Sequence, residues 1–193
     1  MARPREYDRE RVLTEAMNVF RGTGYFGTNM SQLIEATRLN PGSLYGAFNS
    51  KEELFLAALD HYGTRSVEKV RADLYGQSSP KAGVRAWIER IASEISGQGQ
   101  HGCLLVNTAV ELSDRNAAIR DRVNLHLGEI RNLVAARLEE AREAGEISAE
   151  KDPFALADFL LCAIWGLRVW GETFPEVSRV DGVKNQLFSL LEE

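Results

Sequence analysis

The 193-residue chain is 44% hydrophobic and 26% charged with net charge −5, enough apolar content for a core in one domain or two small ones. This balance excludes a wholly basic nucleic-acid protein, and two distant cysteines exclude a disulfide framework. The amino-terminal run lacks the apolar segment of a signal peptide, and the longest apolar run, 159–167, is too short to span a bilayer, so a cytoplasmic location without a membrane partner is expected.

Charge is unevenly placed. Through Lys51, seven basic side chains face five acidic ones, a balance of +2 that leaves −7 for the remainder. A mildly basic head on an acidic body suits a protein that sets one end on a polyanion.

In chain order, residues 2–7 read as an arm whose Arg3 and Arg5 either reach along DNA or only solubilise the terminus. From about Asp8 to Gly22, Leu13, Ala16, Met17 and Phe20 share a helical face, and Gly22 and Gly24 end the helix. Tyr25 and Phe26 in the linker are expected to plug the core. Asn29 caps the next helix, Gln32 completes a capping box, and Met30, Leu33, Ile34 and Thr37 form its buried stripe. Asn40-Pro41-Gly42 ends it and starts a helix of barely two turns, 41–48. There Leu44 and Phe48 point inward, while Ser43, Tyr45, Gly46 and Ala47 face solvent. Ser50 caps a long helix from Lys51 to about Tyr75.

A helix as short as 41–48 cannot stand alone in water. Packed across a neighbour, with small and hydrogen-bonding side chains outward, it has the recognition-helix geometry of a helix-turn-helix. The order of residues resembles the DNA-binding domain of TetR-family transcriptional regulators over roughly residues 9–60, through Tyr45, Phe48 and Lys51-Glu52-Glu53-Leu54. Beyond that stretch the resemblance is architectural. One departure is Arg38, where the family usually has glycine. A left-handed backbone there costs roughly 1 kcal/mol and leaves the arginine as a phosphate candidate.

The rest of the chain reads as helices. Pro80 follows a clear break, and Val84, Trp87, Ile88, Ile91, Ala92 and Ile95 form a regular amphipathic face. A loop over 97–102 leads to a short helix from Cys103 to about Leu112, then a long charged helix over 116–144, which Gly145 ends. The helix from Pro153 to Trp170 is apolar on two faces and needs two packing partners. The last helix spans about 180–191. The run Gly97-Gln98-Gly99-Gln100-His101-Gly102 matches a dinucleotide-binding pattern only formally, because that motif needs a strand before it.

The resemblance implies an all-α chain of about nine helices. A three-helix helix-turn-helix DNA-binding domain would occupy 1–48 and a helical ligand-binding and dimerisation bundle 49–193. It implies a repressor acting as a homodimer on a pseudo-palindromic double-stranded operator, paired through the helix from Pro153 and the last helix. DNA would be met by Asn29, Ser31, Arg38, Asn40, Gly42, Ser43, Leu44, Tyr45, Gly46 and Lys51, with Tyr45 and Lys51 holding phosphates. Release would come from a small molecule near Trp87, Asn107, Glu111, His126 and Trp165, or from an electrophile at Cys103. The segment GCLLVNTAVEL resembles that of a redox-sensing branch, although a free cysteine is more often a small core hydrophobe. Cys162 reads as core. His61, His101 and His126 are scattered, so no metal, cofactor or catalytic arrangement is expected. The alternative is a helical dimeric adaptor or small-molecule-binding protein that does not touch DNA.

Overall fold

The computed structural model describes residues 8–97, 102–112, 114–173 and 176–192. Among them are nine helices and no strand: α1 (Arg9–Gly27), α2 (Met30–Thr37), α3 (Pro41–Phe48), α4 (Lys51–Tyr75), α5 (Pro80–Ser96), α6 (Leu104–Leu112), α7 (Ala117–Glu143), α8 (Pro153–Thr173) and α9 (Val177–Ser189). The all-α expectation holds for these residues. The arm with Arg3 and Arg5, and most of the glycine-rich run including His101, lie outside the described residues. The chain packs as two compact units, Met1–Arg65 with Leu104–Asn124, and Ser66–Cys103 with Leu125–Glu193. Helices α4 and α7 contribute to both.

In the first unit, the Asp8 carboxylate caps α1 by accepting the Arg11 N–H at 3.1 Å. Val12, Leu13, Ala16 and Phe20 are buried, as are Leu33 of α2, Leu44 and Phe48 of α3, and Leu54, Phe55, Ala58 and Leu59 of α4. Phe20 meets Phe55 edge-on with ring centroids 4.8 Å apart. Helix α1 does not stop at Gly22 as expected. It runs to Gly27 across a kink at Gly24, whose φ of 71° and ψ of 176° leave the helical region. Beyond the kink the two aromatics part company. Tyr25 lies 5.0 Å from Phe55 by ring centroids, but Phe26 is 56% exposed, with the Arg115 guanidinium 5.3 Å from its ring centroid. Only Tyr25 joins the core.

His61 of α4 shares a 3.0 Å hydrogen bond with the Thr14 hydroxyl of α1. Burial lowers its pKa below the usual histidine value, the nearby Arg65 and Arg9 lower it further, and Glu10 opposes them. The folded state therefore prefers neutral imidazole. That stability is fully present above the unfolded pKa of about 6.5 and is lost as pH falls through the folded pKa. Thermal melts at pH values either side of 6 should show the parent losing more Tm on acidification than His61→Asn. Equal losses would show that His61 contributes nothing to this dependence.

In the second unit, Pro80 occupies the first turn of α5 and the Ser79 hydroxyl accepts the Ala82 N–H at 3.3 Å. Val84, Trp87, Ile88, Ile91, Ala92 and Ile95 are buried as expected, and α5 packs against α8 and α9. A Cβ at Gly83 would lie 2.0 Å from the Leu74 carbonyl oxygen, so only glycine admits this approach of α5 to the end of α4. Arg90 bridges Asp73 and Glu94 at 2.6 Å each, and Glu94 also accepts from Arg168 at 3.0 Å. Helix α8 buries Ala157, Leu160, Leu161, Ile164 and Leu167. It exposes Phe154, Phe159, Cys162 and Val169 on the rest of its surface. Cys162 is therefore not a core residue within the chain. An all-round apolar helix carries no periodicity to say which side meets its own fold.

Candidate nucleic-acid interface

Helices α2 and α3 owe their boundaries to side-chain caps. The Asn29 Oδ1 accepts the Gln32 N–H at 3.0 Å, and the Gln32 carboxamide oxygen accepts the Asn29 N–H at 2.8 Å, closing the expected capping box. The Asn40 Oδ1 accepts the Ser43 N–H at 2.8 Å and starts α3. Between them Arg38 is left-handed, with φ 57° and ψ 24°, and its N–H donates to the Ile34 carbonyl at 3.0 Å. The conformation that glycine would adopt freely is thus kept by an arginine, whose exposed side chain gains reach for the strain. The Arg11 guanidinium donates to the Thr37 carbonyl at 3.0 Å and ties α1 to the end of α2.

Helix α3 presents Gly42, Tyr45 and Gly46 to solvent, with Ser43 and Ala47 half-buried beside them. Tyr45 is 46% exposed. A Cβ at Gly46 would meet nothing within 4 Å, so the backbone there is open to close approach. Ser31 is exposed. Leu44 departs from the expected interface: it is 1% exposed, because position 44 falls on the inward face with Phe48, 4% exposed. It anchors the helix from its inward side.

Lys51 sits at the first position of α4, half-buried. Its ammonium donates to the Tyr25 and Thr28 carbonyls at 3.0 and 2.9 Å and lies 4.2 Å from the Tyr25 ring centroid. Two of its three N–H donors are therefore engaged within the head. Sequence reasoning missed this bracing role, and it missed Gly24 and Thr28. The buried Thr28 hydroxyl donates to the Gly24 carbonyl at 2.6 Å. The run Gly24-Tyr25-Phe26-Gly27-Thr28, with glycines bracketing two aromatics, was the available signal.

The expected effector residues are divided between the two units. Trp87 and His126 are buried and Trp165 is half-buried, all in the second unit. Asn107 is exposed, in the first unit. Glu111 also belongs to the first unit, and its carboxylate accepts the backbone N–H groups of Tyr25 and Phe26 at 3.0 and 2.8 Å. Its position near the carboxyl end of α6 turns it to the head and takes it out of the effector list. Cys103 is half-buried immediately before α6.

A capped two-helix turn, an anchored short helix with an open outer face and cationic groups beside it define a helix-turn-helix DNA-binding regulator. Residues 12–58 match the model of bacterial regulatory proteins of the TetR family, and residues 80–169 match the tetracyclin repressor-like C-terminal domain. The HTH-type transcriptional repressor ComR of Escherichia coli (strain K12) is 30% identical over 86% of this chain and 80% of its own length. The HTH-type transcriptional repressor DhaR of Mycobacterium sp. (strain GP1) is 27% identical over 82% and 79%. Among solved structures, a cysteine mutant of the TetR family transcriptional regulator CifR, complexed with 26-bp double-strand operator DNA, aligns over 97% of this chain and 98% of its own. Its TM-score is 0.86 and its identity 32%. The chain belongs to the TetR family of transcriptional regulators.

Proposed function

We propose that this regulator is a cytoplasmic repressor, not an enzyme, in which residues 1–48 meet an operator while 49–193 dimerise and respond to an effector. The observation that carries the DNA-facing part is the outer face of α3, with Tyr45 and Gly46 exposed above a buried Leu44 and Phe48. Tyr45 supplies a phosphate clamp. Exposed Ser31, Arg38 and Gly42 and half-buried Ser43 add further contacts, while Asn29 and Asn40 reach DNA with the amide nitrogens that their caps leave over. Small residues on α3 favour close backbone approach, contact with thymine methyls and reading of DNA shape over long base readers.

The exposed apolar face of α8, with Phe154, Phe159, Val169 and Trp170, supports a homodimer in which α8 and α9 pair with their symmetry mates. By length and composition alone α8 could cross a membrane. Its packing with α5 and α9 in a TetR-family chain favours a protein interface. Two heads then meet half-sites about one helical turn, or a small multiple, apart. The effector is a small molecule held near Trp87, His126 and Trp165, or an electrophile acting on Cys103. Either weakens binding only by its preference for the state in which the heads are wrongly spaced.

The test uses a labelled duplex selected by the parent protein from a randomised pool and measured by fluorescence anisotropy across a salt series. Tyr45→Ala should weaken binding about tenfold and leave the slope of log affinity against log salt unchanged, because the phenol it removes carries no charge. A Tyr45→Ala protein that binds as tightly as its parent would contradict the assignment.

A further inference from the structure

The segment 25–28, which follows the Gly24 kink in α1 and links it to α2, is held from both sides by opposite charges. From one side Lys51 binds its carbonyls, at Tyr25 and Thr28. From the other, both carboxylate oxygens of Glu111 bind its amides: Oε2 accepts the Tyr25 N–H at 3.0 Å and Oε1 the Phe26 N–H at 2.8 Å. These are the first two amides after the backbone reversal at Gly24. They point at an anion as the leading amides of a helix do. The fit is close, since a Cβ at Gly24 would stand 2.9 Å from Glu111 Oε2.

The placement is costly for α6. Glu111 is its penultimate residue, at the end where the helix dipole disfavours negative charge. Two amide donors offset that cost. The linker in turn delivers Asn29, which starts α2 and thereby sets α3. We infer that Glu111 is a positioning residue for operator binding: through Tyr25 and Phe26 it gives α6 a direct hold on the helix-turn-helix. A displacement of the end of α6 must then carry the linker with it or break both bonds. This rests on reading α2 and α3 as the DNA-facing pair.

Two measurements on the full-length protein test it. Hydrogen exchange, which needs no DNA, should show the Tyr25 and Phe26 amides losing protection by about tenfold or more in Glu111→Ala, while amides of the α1 core around Val12 and Ala16 keep theirs. With the duplex selected by the parent, Glu111→Ala should bind about tenfold more weakly. Its salt slope should equal the parent's, because no phosphate contact is removed. Glu111→Gln keeps one acceptor oxygen and should recover part of the affinity. A role in general stability alone would instead lower protection throughout the unit without recovery by glutamine, and would overturn the inference. So would unchanged exchange at Tyr25 and Phe26, or lost protection with undiminished affinity. If the parent selects no duplex, the DNA-facing reading fails, while the exchange data still report on the clamp.

Discussion

Lys51→Ala is expected to weaken operator binding by about a hundredfold, the largest loss from any single change in the head. Three effects act together. The mutation removes two charge-assisted hydrogen bonds to the Tyr25 and Thr28 carbonyls, each of a kind that contributes about 1.5–3 kcal/mol. It also removes the ammonium over the Tyr25 ring, and the remaining N–H that a phosphate would take. The first two losses free the linker and lower the Tm of the protein. The third flattens the salt slope by up to about one. Lys51→Arg separates them: it keeps the charge, but the rigid guanidinium fork matches the two carbonyls poorly. It should retain the salt slope while losing part of the affinity. Anisotropy across a salt series, with melting curves alongside, checks both variants. An unchanged slope in Lys51→Ala would mean that the lysine only braces the head.

Gly24→Ala is expected to destabilise the head by about 1–3 kcal/mol through backbone strain, and by more because the new methyl must displace Glu111. The φ of 71° with ψ of 176° is a region that essentially only glycine visits. The added Cβ would sit within 3.3 Å of three atoms of the Glu111 carboxylate group. Gly22, two residues earlier, is the contrasting site. It is helical and exposed, and a Cβ there meets nothing within 4 Å. Gly22→Ala should therefore stabilise the protein by about 0.5–1 kcal/mol, the usual gain from replacing glycine inside a helix. Chemical denaturation of the two variants side by side decides the matter: the same substitution should carry opposite signs two residues apart.

The helix-turn-helix was legible in the sequence because its signals are local. Caps at Asn29, Asn40 and Ser50 act over three residues, Pro41 marks a first turn, and Leu33, Thr37, Leu44 and Phe48 hold helical spacing. The left-handed turn at Arg38 was suggested only by the resemblance, because the family usually has glycine there. Tertiary structure alone decided which groups the charged side chains meet. Lys51 turned out to face carbonyls 23 and 26 residues away, and Glu111 amides 85 and 86 residues away. No periodicity encodes such pairings, because a carboxylate or ammonium suits solvent, phosphate and backbone equally well until the fold presents one of them. The same holds for Phe26 and Cys162. Hydrophobicity favours burial, but which face of a kinked turn or of an all-apolar helix finds a partner depends on packing directions set elsewhere in the chain.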